Sequence, residues 1–274
     1  MSGITEPRST TKRVLQANIW LVYIFFYAPI LVLVIYSFSD SRNVGAWGGF
    51  TLDWYGDFAN STAAKGALSN SLKIAVTSTI VAVVLGTFSA LALERFTFRG
   101  KQVFDALLYL PIIIPDVTMA VMLLLFFSEA ANIFGFSKGF ATITLSHIAF
   151  SISFVSIVVR ARLAGMDDKL EEAAVDLYAT KWQAFRYVTL PLIMPGIIGG
   201  ALLAFTLSLD DVVITEFVTG PGWTTLPVYV FGLIRKGVTP LINAISVVML
   251  VASMGLVALS LLTDRARGDA ADIE

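Results

Sequence analysis

Cysteine is absent from the 274 residues, which excludes disulfides, thiol nucleophiles and cysteine-ligated metals; the single histidine, His147, cannot form a zinc site by itself. Charge is scarce: 14% of residues are Asp, Glu, Lys or Arg, against about a quarter in a typical soluble chain. The net charge of −1, with no basic cluster interleaved with aromatics, excludes nucleic acid as a partner. A phosphate cradle of the form Gly-x-x-x-x-Gly-Lys-Ser/Thr is also missing, because Gly100-Lys101 lacks both the upstream glycine and the following hydroxyl. Nothing in the chain is built to bind ATP. The N-terminus has no short apolar run ending in a small-residue cleavage site, so the first apolar run is read as retained.

What the sequence has in abundance is apolar residues, 57% of the chain. They fall in long uncharged runs, which define a polytopic membrane protein. Residues 1–16 read as a polar tail with Arg8, Lys12 and Arg13, poorly ordered except near the membrane. Six spans follow within residues 17–263: Ala17–Ser39, Ile74–Leu93, Ala106–Ser128, Ala141–Val159, Tyr187–Leu209 and one inside Gly237–Thr263. Residues 264–274 read as a second tail. The third span contains Pro111, Pro115 and Asp116, so an interrupted helix with an acid near mid-membrane is expected there. Between the first two spans, residues 40–69 form a polar loop. Its Trp54 and Tyr55 suit an interface or a ligand surface, and its Trp47 an interfacial belt.

Lysines and arginines set the orientation. Thirteen lie in the two tails and the loops after the second and fourth spans, and six in the alternate loops. Both termini and the loop around residues 160–186 are therefore expected on the cytoplasmic side.

That loop is the one long charged passage between apolar runs. Helical spacing places Ala173, Ala174 and Leu177 on one side, beside an acidic stripe of Asp168, Glu172 and Asp176. Two readings fit this pattern: an amphipathic helix lying on the membrane surface, or small residues presented for docking into a partner's groove. Glu172-Ala173-Ala174, followed by Leu190-Pro191, resembles the cytoplasmic loop of ABC importer permeases, whose signature is Glu-Ala-Ala, a glycine and then Leu-Pro. The glycine position is occupied by Tyr178. Glycine normally serves a turn of positive φ, so the turn is expected to be built differently or under strain.

Three further acids stand out: Asp116 in the third span, and Asp210 and Asp211 at the outer end of the fifth. An ionised acid at mid-membrane costs at least about 2.5 kcal/mol on insertion scales and normally faces a cavity with a partner. No Lys or Arg lies in the middle of any span, so a transported cation is a natural countercharge. The alternatives are that Asp116 caps a helix broken at Pro115, and that Asp210 and Asp211 are merely solvated. His147 reads as a hydrogen-bonded packing residue, and Glu129 and Glu216 as loop residues.

The run from Phe205 to Pro221 is similar to the fifth-span exit of permeases from spermidine/putrescine importers, and the resemblance covers nearly the whole chain. It implies an all-α, six-span type I importer permease (MetI-like) fold. It also implies that Trp54, Asp116, Ser208, Asp210 and Asp211 line the substrate's passage, and that Glu172, Ala173, Ala174, Leu177 and Tyr178 meet an ATPase. The implied partners are a second permease subunit, two cytoplasmic ATPases and a periplasmic solute-binding protein, in a bacterial inner membrane. The chain itself would be no enzyme and carry no cofactor, ATP being used by the partner. The rivals are an importer of another solute, such as an amino acid or iron complex, and an ion-coupled secondary carrier. A carrier would usually show paired broken spans in two related halves. A non-transporting assembly protein is a third option, against which the intramembrane Asp116 argues.

Overall fold

The structure is a computed structural model that describes residues 9–43, 45–167, 169–237 and 239–271. Asp168, a member of the expected acidic stripe, and Arg8 lie outside the described residues. Among those described, the protein is helical throughout, with a single isolated β-bridge between Ser39 and Phe50. Five helices are long and apolar enough to cross a membrane, and Pro240–Gly255 is a shorter apolar sixth.

Two compact units are present. The first holds α1 (Ser9–Tyr36), α2 (Asp53–Asn60) and residues 233–252. Helix α1 starts within what reads in the sequence as a tail: Lys12 and Arg13 continue the helix because nothing between them and Ala17 breaks it. The loop after α1 closes on itself. Thr51 N–H donates to Phe38 C=O at 2.8 Å, Asp40 N–H to Gly49 C=O at 3.0 Å, and the rings of Phe38 and Phe50 stack.

The second unit opens with α3 (Thr62–Arg95), which begins well before the apolar run at Ile74 because Ala63, Ala64 and Ala67 propagate helix through the expected loop. Then come α4 (Lys101–Ile113), α5 (Asp116–Phe134), α6 (Phe140–Ala164), α7 (Lys169–Asp176) and α8 (Lys181–Ala184). A π-helical turn, Phe185–Thr189, leads into α9 (Leu190–Asp210), followed by α10 (Val213–Val218) and the start of α11 (Leu226–Lys236). Helix α12 (Pro240–Ala271) is divided, its apolar stretch up to Ala252 belonging to the first unit and its remainder to the second, and it stays helical where a tail from residue 264 is expected.

Helices α3, α6 and α9 pack closely because glycines let their backbones approach. A Cβ added to Gly86 would stand 2.7 Å from Val155 Cβ, and one on Gly200 would stand 3.3 Å from Val155 Cα. Apolar lipid gives helices little reason to associate, so close van der Waals contact across small residues supplies the attraction. Val155, Val159, Ile193 and Ala204 are fully buried at this seam. A second cluster, including Ile74, Met119, Phe127, Phe150, Ile214 and Val218, joins α3, α5, α6 and α10.

The expected interruption of the third span is real. Helix α4 ends at Ile113 and α5 starts at Asp116, with Pro115 between them in an extended conformation. Proline has no N–H and its ring disfavours helical geometry in the residue before it, and Ile114 is extended (φ −73°, ψ 129°). The fifth span is followed by a break of another kind, with no proline: α9 stops at Asp210 and the chain turns helical again as α10 at Val213. Glu129 and Glu216 are not loop residues: they lie within α5 and α10, which extend past the apolar runs that the sequence pattern marks.

Candidate functional site

Two regions of the second unit gather the residues singled out by the sequence. One is the charged loop. Glu171 and Glu172 occupy the first turn of α7, where carboxylates favour the positive end of the helix. Glu171, not its neighbour, is tied down: Arg95 at the end of α3 donates Nη1–H to Oε2 at 2.6 Å and Nη2–H to Oε1 at 3.1 Å, and the Thr189 hydroxyl also donates to Oε1. Glu172, Ala173, Leu177 and Tyr178 remain exposed, and Ala174 is half-buried.

The turn after α7 answers the question set by Tyr178. The Ala179 N–H donates to Ala174 C=O at 3.1 Å and the Tyr178 N–H to Val175 C=O at 2.9 Å, the pair of bonds that closes a helix through a left-handed residue. Tyr178 holds that position, with φ of 67°, and is the one described non-glycine residue with positive φ. The turn is therefore the one a glycine would make, built with a strained tyrosine. Thr180 then starts α8 with a reciprocal cap, its hydroxyl accepting from Gln183 N–H while the Gln183 side chain accepts from Thr180 N–H. The result is a rigid corner on which Leu177 and Tyr178, 81% and 96% exposed, project outward.

The other region is a hollow of about 540 Å³ where the two broken spans meet the middle of α6. Asp116, Asp210 and Asp211 line it together, with Phe150, Phe154 and Met119 on its walls and no lysine or arginine. Phe150 and Phe154 straddle the midpoint of α6. Asp210 is the last residue of α9, and the break that follows it brings Asp210 and Asp211 alongside Asp116.

The three acids differ in their bonding. Asp116 is the first residue of α5, yet no side-chain hydrogen bond caps that helix. Asp116 and Asp210 are exposed, and among the described residues neither has a hydrogen bond or ion pair to a protein group. Asp211 is engaged. Its Oδ1 accepts from Ile214 N–H at 3.2 Å and its Oδ2 from Thr215 N–H at 2.7 Å and Thr215 Oγ1–H at 2.6 Å.

Ser208 stands behind the hollow rather than in its lining. Its hydroxyl is 2.7 Å from His147 Nδ1 and 3.2 Å from Ser78 Oγ, and it is buried. Trp54 belongs to the first unit, where its indole N–H donates to Ser39 C=O at 2.8 Å beside Asp40, Arg42, Asp53 and Asp57. Neither Glu171 nor Thr215 is among the candidate residues that the sequence pattern singles out. Thr215 had no signal, but Glu171 could have been found as the first of two adjacent acids in the first turn of an amphipathic helix.

Six apolar helical stretches, two of them broken around an acidic hollow, define a membrane transport component. The chain belongs to the family of binding-protein-dependent transport system inner membrane components, whose pattern its residues 82–267 match. It is 44% identical over 260 residues to the putrescine transport system permease protein PotI of Escherichia coli (strain K12), covering 94% of this chain and 91% of that protein. It is 39% identical over 250 residues to the spermidine/putrescine transport system permease protein PotC of Haemophilus influenzae, covering 91% and 96%. In three dimensions it resembles a bacterial ABC transporter involved in the import of the acidic polysaccharide alginate, with a TM-score of 0.74, 20% identity and coverage of 94% of this chain and 95% of that one. The fold class expected from the sequence is the observed one.

Proposed function

We propose that this chain is the polyamine-conducting permease subunit of an ATP-driven importer. One observation carries the substrate class: three carboxylates share a hollow at the middle of α6 that holds no basic side chain. Linear amines need carboxylates for their ammonium groups and apolar or aromatic walls for the methylenes between them. Phe150 and Phe154 offer such walls, with cation–π attraction of about 0.5 to 2 kcal/mol. The likeness to PotI and PotC supports the same substrate class.

Energy enters from outside the chain, which has no phosphate cradle. In this reading Glu172, Ala173, Ala174, Leu177 and Tyr178 dock into a groove of one of two cytoplasmic ATPases, and the fixed corner behind them transmits the stroke. A second permease subunit completes the passage and a periplasmic binding protein delivers the amine. Both termini are cytoplasmic, and the subunit is not itself an enzyme and carries no cofactor. Trp54 is assigned to the substrate's passage by the likeness to polyamine permeases.

The test is uptake by membrane vesicles holding the full complex with its ATPase and binding protein. Labelled putrescine and spermidine should accumulate only with ATP, and neutral diols or amino acids in excess should not compete. Accumulation driven by an ion gradient without ATP, or competition by those solutes, would replace this reading with one of its rivals.

A further inference from the structure

The acids around the hollow divide into two kinds. Asp211 uses both carboxylate oxygens on the first turn of α10, accepting two backbone N–H groups and one hydroxyl. Thr215 and His147 behind it are fully buried. His147 Nε2 lies 3.0 Å from Thr215 Oγ1 and 3.4 Å from Asp211 Oδ2, while Nδ1 lies 2.7 Å from Ser208 Oγ. Ser208 in turn meets Ser78 of α3 at 3.2 Å. One chain of polar contacts therefore runs Ser78, Ser208, His147, Thr215, Asp211, joining α3, α9, α6 and α10.

A consistent proton assignment exists with His147 neutral. The Thr215 hydroxyl donates to Asp211, His147 Nε2–H donates to the Thr215 oxygen, and the Ser208 hydroxyl donates to Nδ1. Every donor then has an acceptor, which a buried network requires. Backbone freed where a span is broken needs partners as well, and Asp211 provides them at the start of α10.

Resting on the polyamine reading, we infer that His147 and Asp211 are positioning residues that hold the α9–α10 break in place, and that Asp116 and Asp210 are the acids that meet the amine. Asp116 and Asp210 have no protein partner among the described residues, whereas Asp211 has most of its acceptor capacity filled. Ser208, too, acts through His147 and not on the substrate.

The experiment uses the assembled transporter and two readouts. In vesicle uptake, Asp116→Asn and Asp210→Asn should each raise KM for spermidine about tenfold, since a lost contact of about 1.4 kcal/mol is a factor of ten. Asp211→Asn and His147→Gln should instead leave KM within about twofold and lower the maximal rate, with His147→Gln retaining more than His147→Leu because the amide can still donate to Thr215. Equal rises in KM for Asp210→Asn and Asp211→Asn would overturn the division. The second readout needs no substrate: melting of the purified complex for His147→Leu, Asp211→Ala and the double variant. Each single change should lower the melting temperature by about 3 °C or more, and the double by clearly less than the two combined, because both remove the same network. Strict additivity would overturn the network even if wild-type vesicles took up no polyamine, an outcome that would separately defeat the substrate reading.

Discussion

Arg95 and Glu171 meet fork to fork, with N–O distances of 2.6 and 3.1 Å, and so fasten the end of α3 to the first turn of α7. Paired charge-assisted bonds fix orientation as well as distance. The Thr189 hydroxyl on the same carboxylate adds the π-helical turn that leads into α9. A force applied to the exposed corner at Leu177 and Tyr178 thereby reaches a membrane helix through three side chains.

Breaking this fastening should uncouple the transporter more than it unfolds it. Both side chains are about a quarter exposed, so the pair's own stability contribution is modest. Arg95→Glu should cut uptake per ATP hydrolysed several-fold, and the exchange Arg95→Glu with Glu171→Arg should restore only part, since Arg95 has a further interaction and Glu171 loses the Thr189 bond. Parallel measurement of hydrolysis and uptake checks this; unchanged stoichiometry in Arg95→Glu would contradict it.

On the outward face of the same helix, Glu172→Lys or Ala173→Trp should separate hydrolysis from transport while leaving the permease folded. Both residues are exposed and have no structural role in the corner itself. Variants that keep the ATPase bound on purification and transport at the wild-type rate would refute the docking assignment.

Tyr178 carries measurable strain. A left-handed conformation costs an L-residue roughly 1–2 kcal/mol that glycine does not incur. Tyr178→Gly should therefore be tolerated and stabilise the complex by about 1 kcal/mol, seen as a raised melting temperature. Loss of transport with raised stability would show that the exposed ring is itself a partner contact.

The glycine seam predicts a size-dependent penalty. Gly86→Ala places a methyl 2.7 Å from Val155 Cβ, so it should destabilise the complex by about 1–3 kcal/mol through overpacking. Adding Val155→Ala should recover much of that loss. Thermal melting of the purified variants in detergent distinguishes this from a purely local effect, which would leave the double variant no better than the single.

Much of this architecture can be read from residue type alone. Long uncharged runs give the spans, and Pro115 gives the break before Asp116 because its missing N–H acts locally. The break after Asp210 is different: no proline marks it, and it is made by Asp211 accepting from Ile214 and Thr215 and by a histidine on another helix. The bonds to Ile214 and Thr215 are local ones, three and four residues ahead, but the His147 contact comes from α6 and leaves no periodicity to detect. Helix ends differ from the sequence pattern for a related reason, since Thr62–Leu72 of α3 is polar enough to read as loop but is held as helix by packing of Ala64, Ala67 and Ser71. Tyr178 was legible as an anomaly, but only the backbone shows that the turn keeps its left-handed form.

The central claim is that free carboxylates in the hollow meet a polyamine, and Asp116→Asn tests it most directly because the change keeps size and removes charge. A lost contact of about 1.4 kcal/mol is a factor of ten. Labelled spermidine uptake at subsaturating concentration, in vesicles with the complete complex and matched expression, should fall at least about tenfold. Wild-type uptake by Asp116→Asn would contradict the account and remove its main physical reason for choosing polyamines.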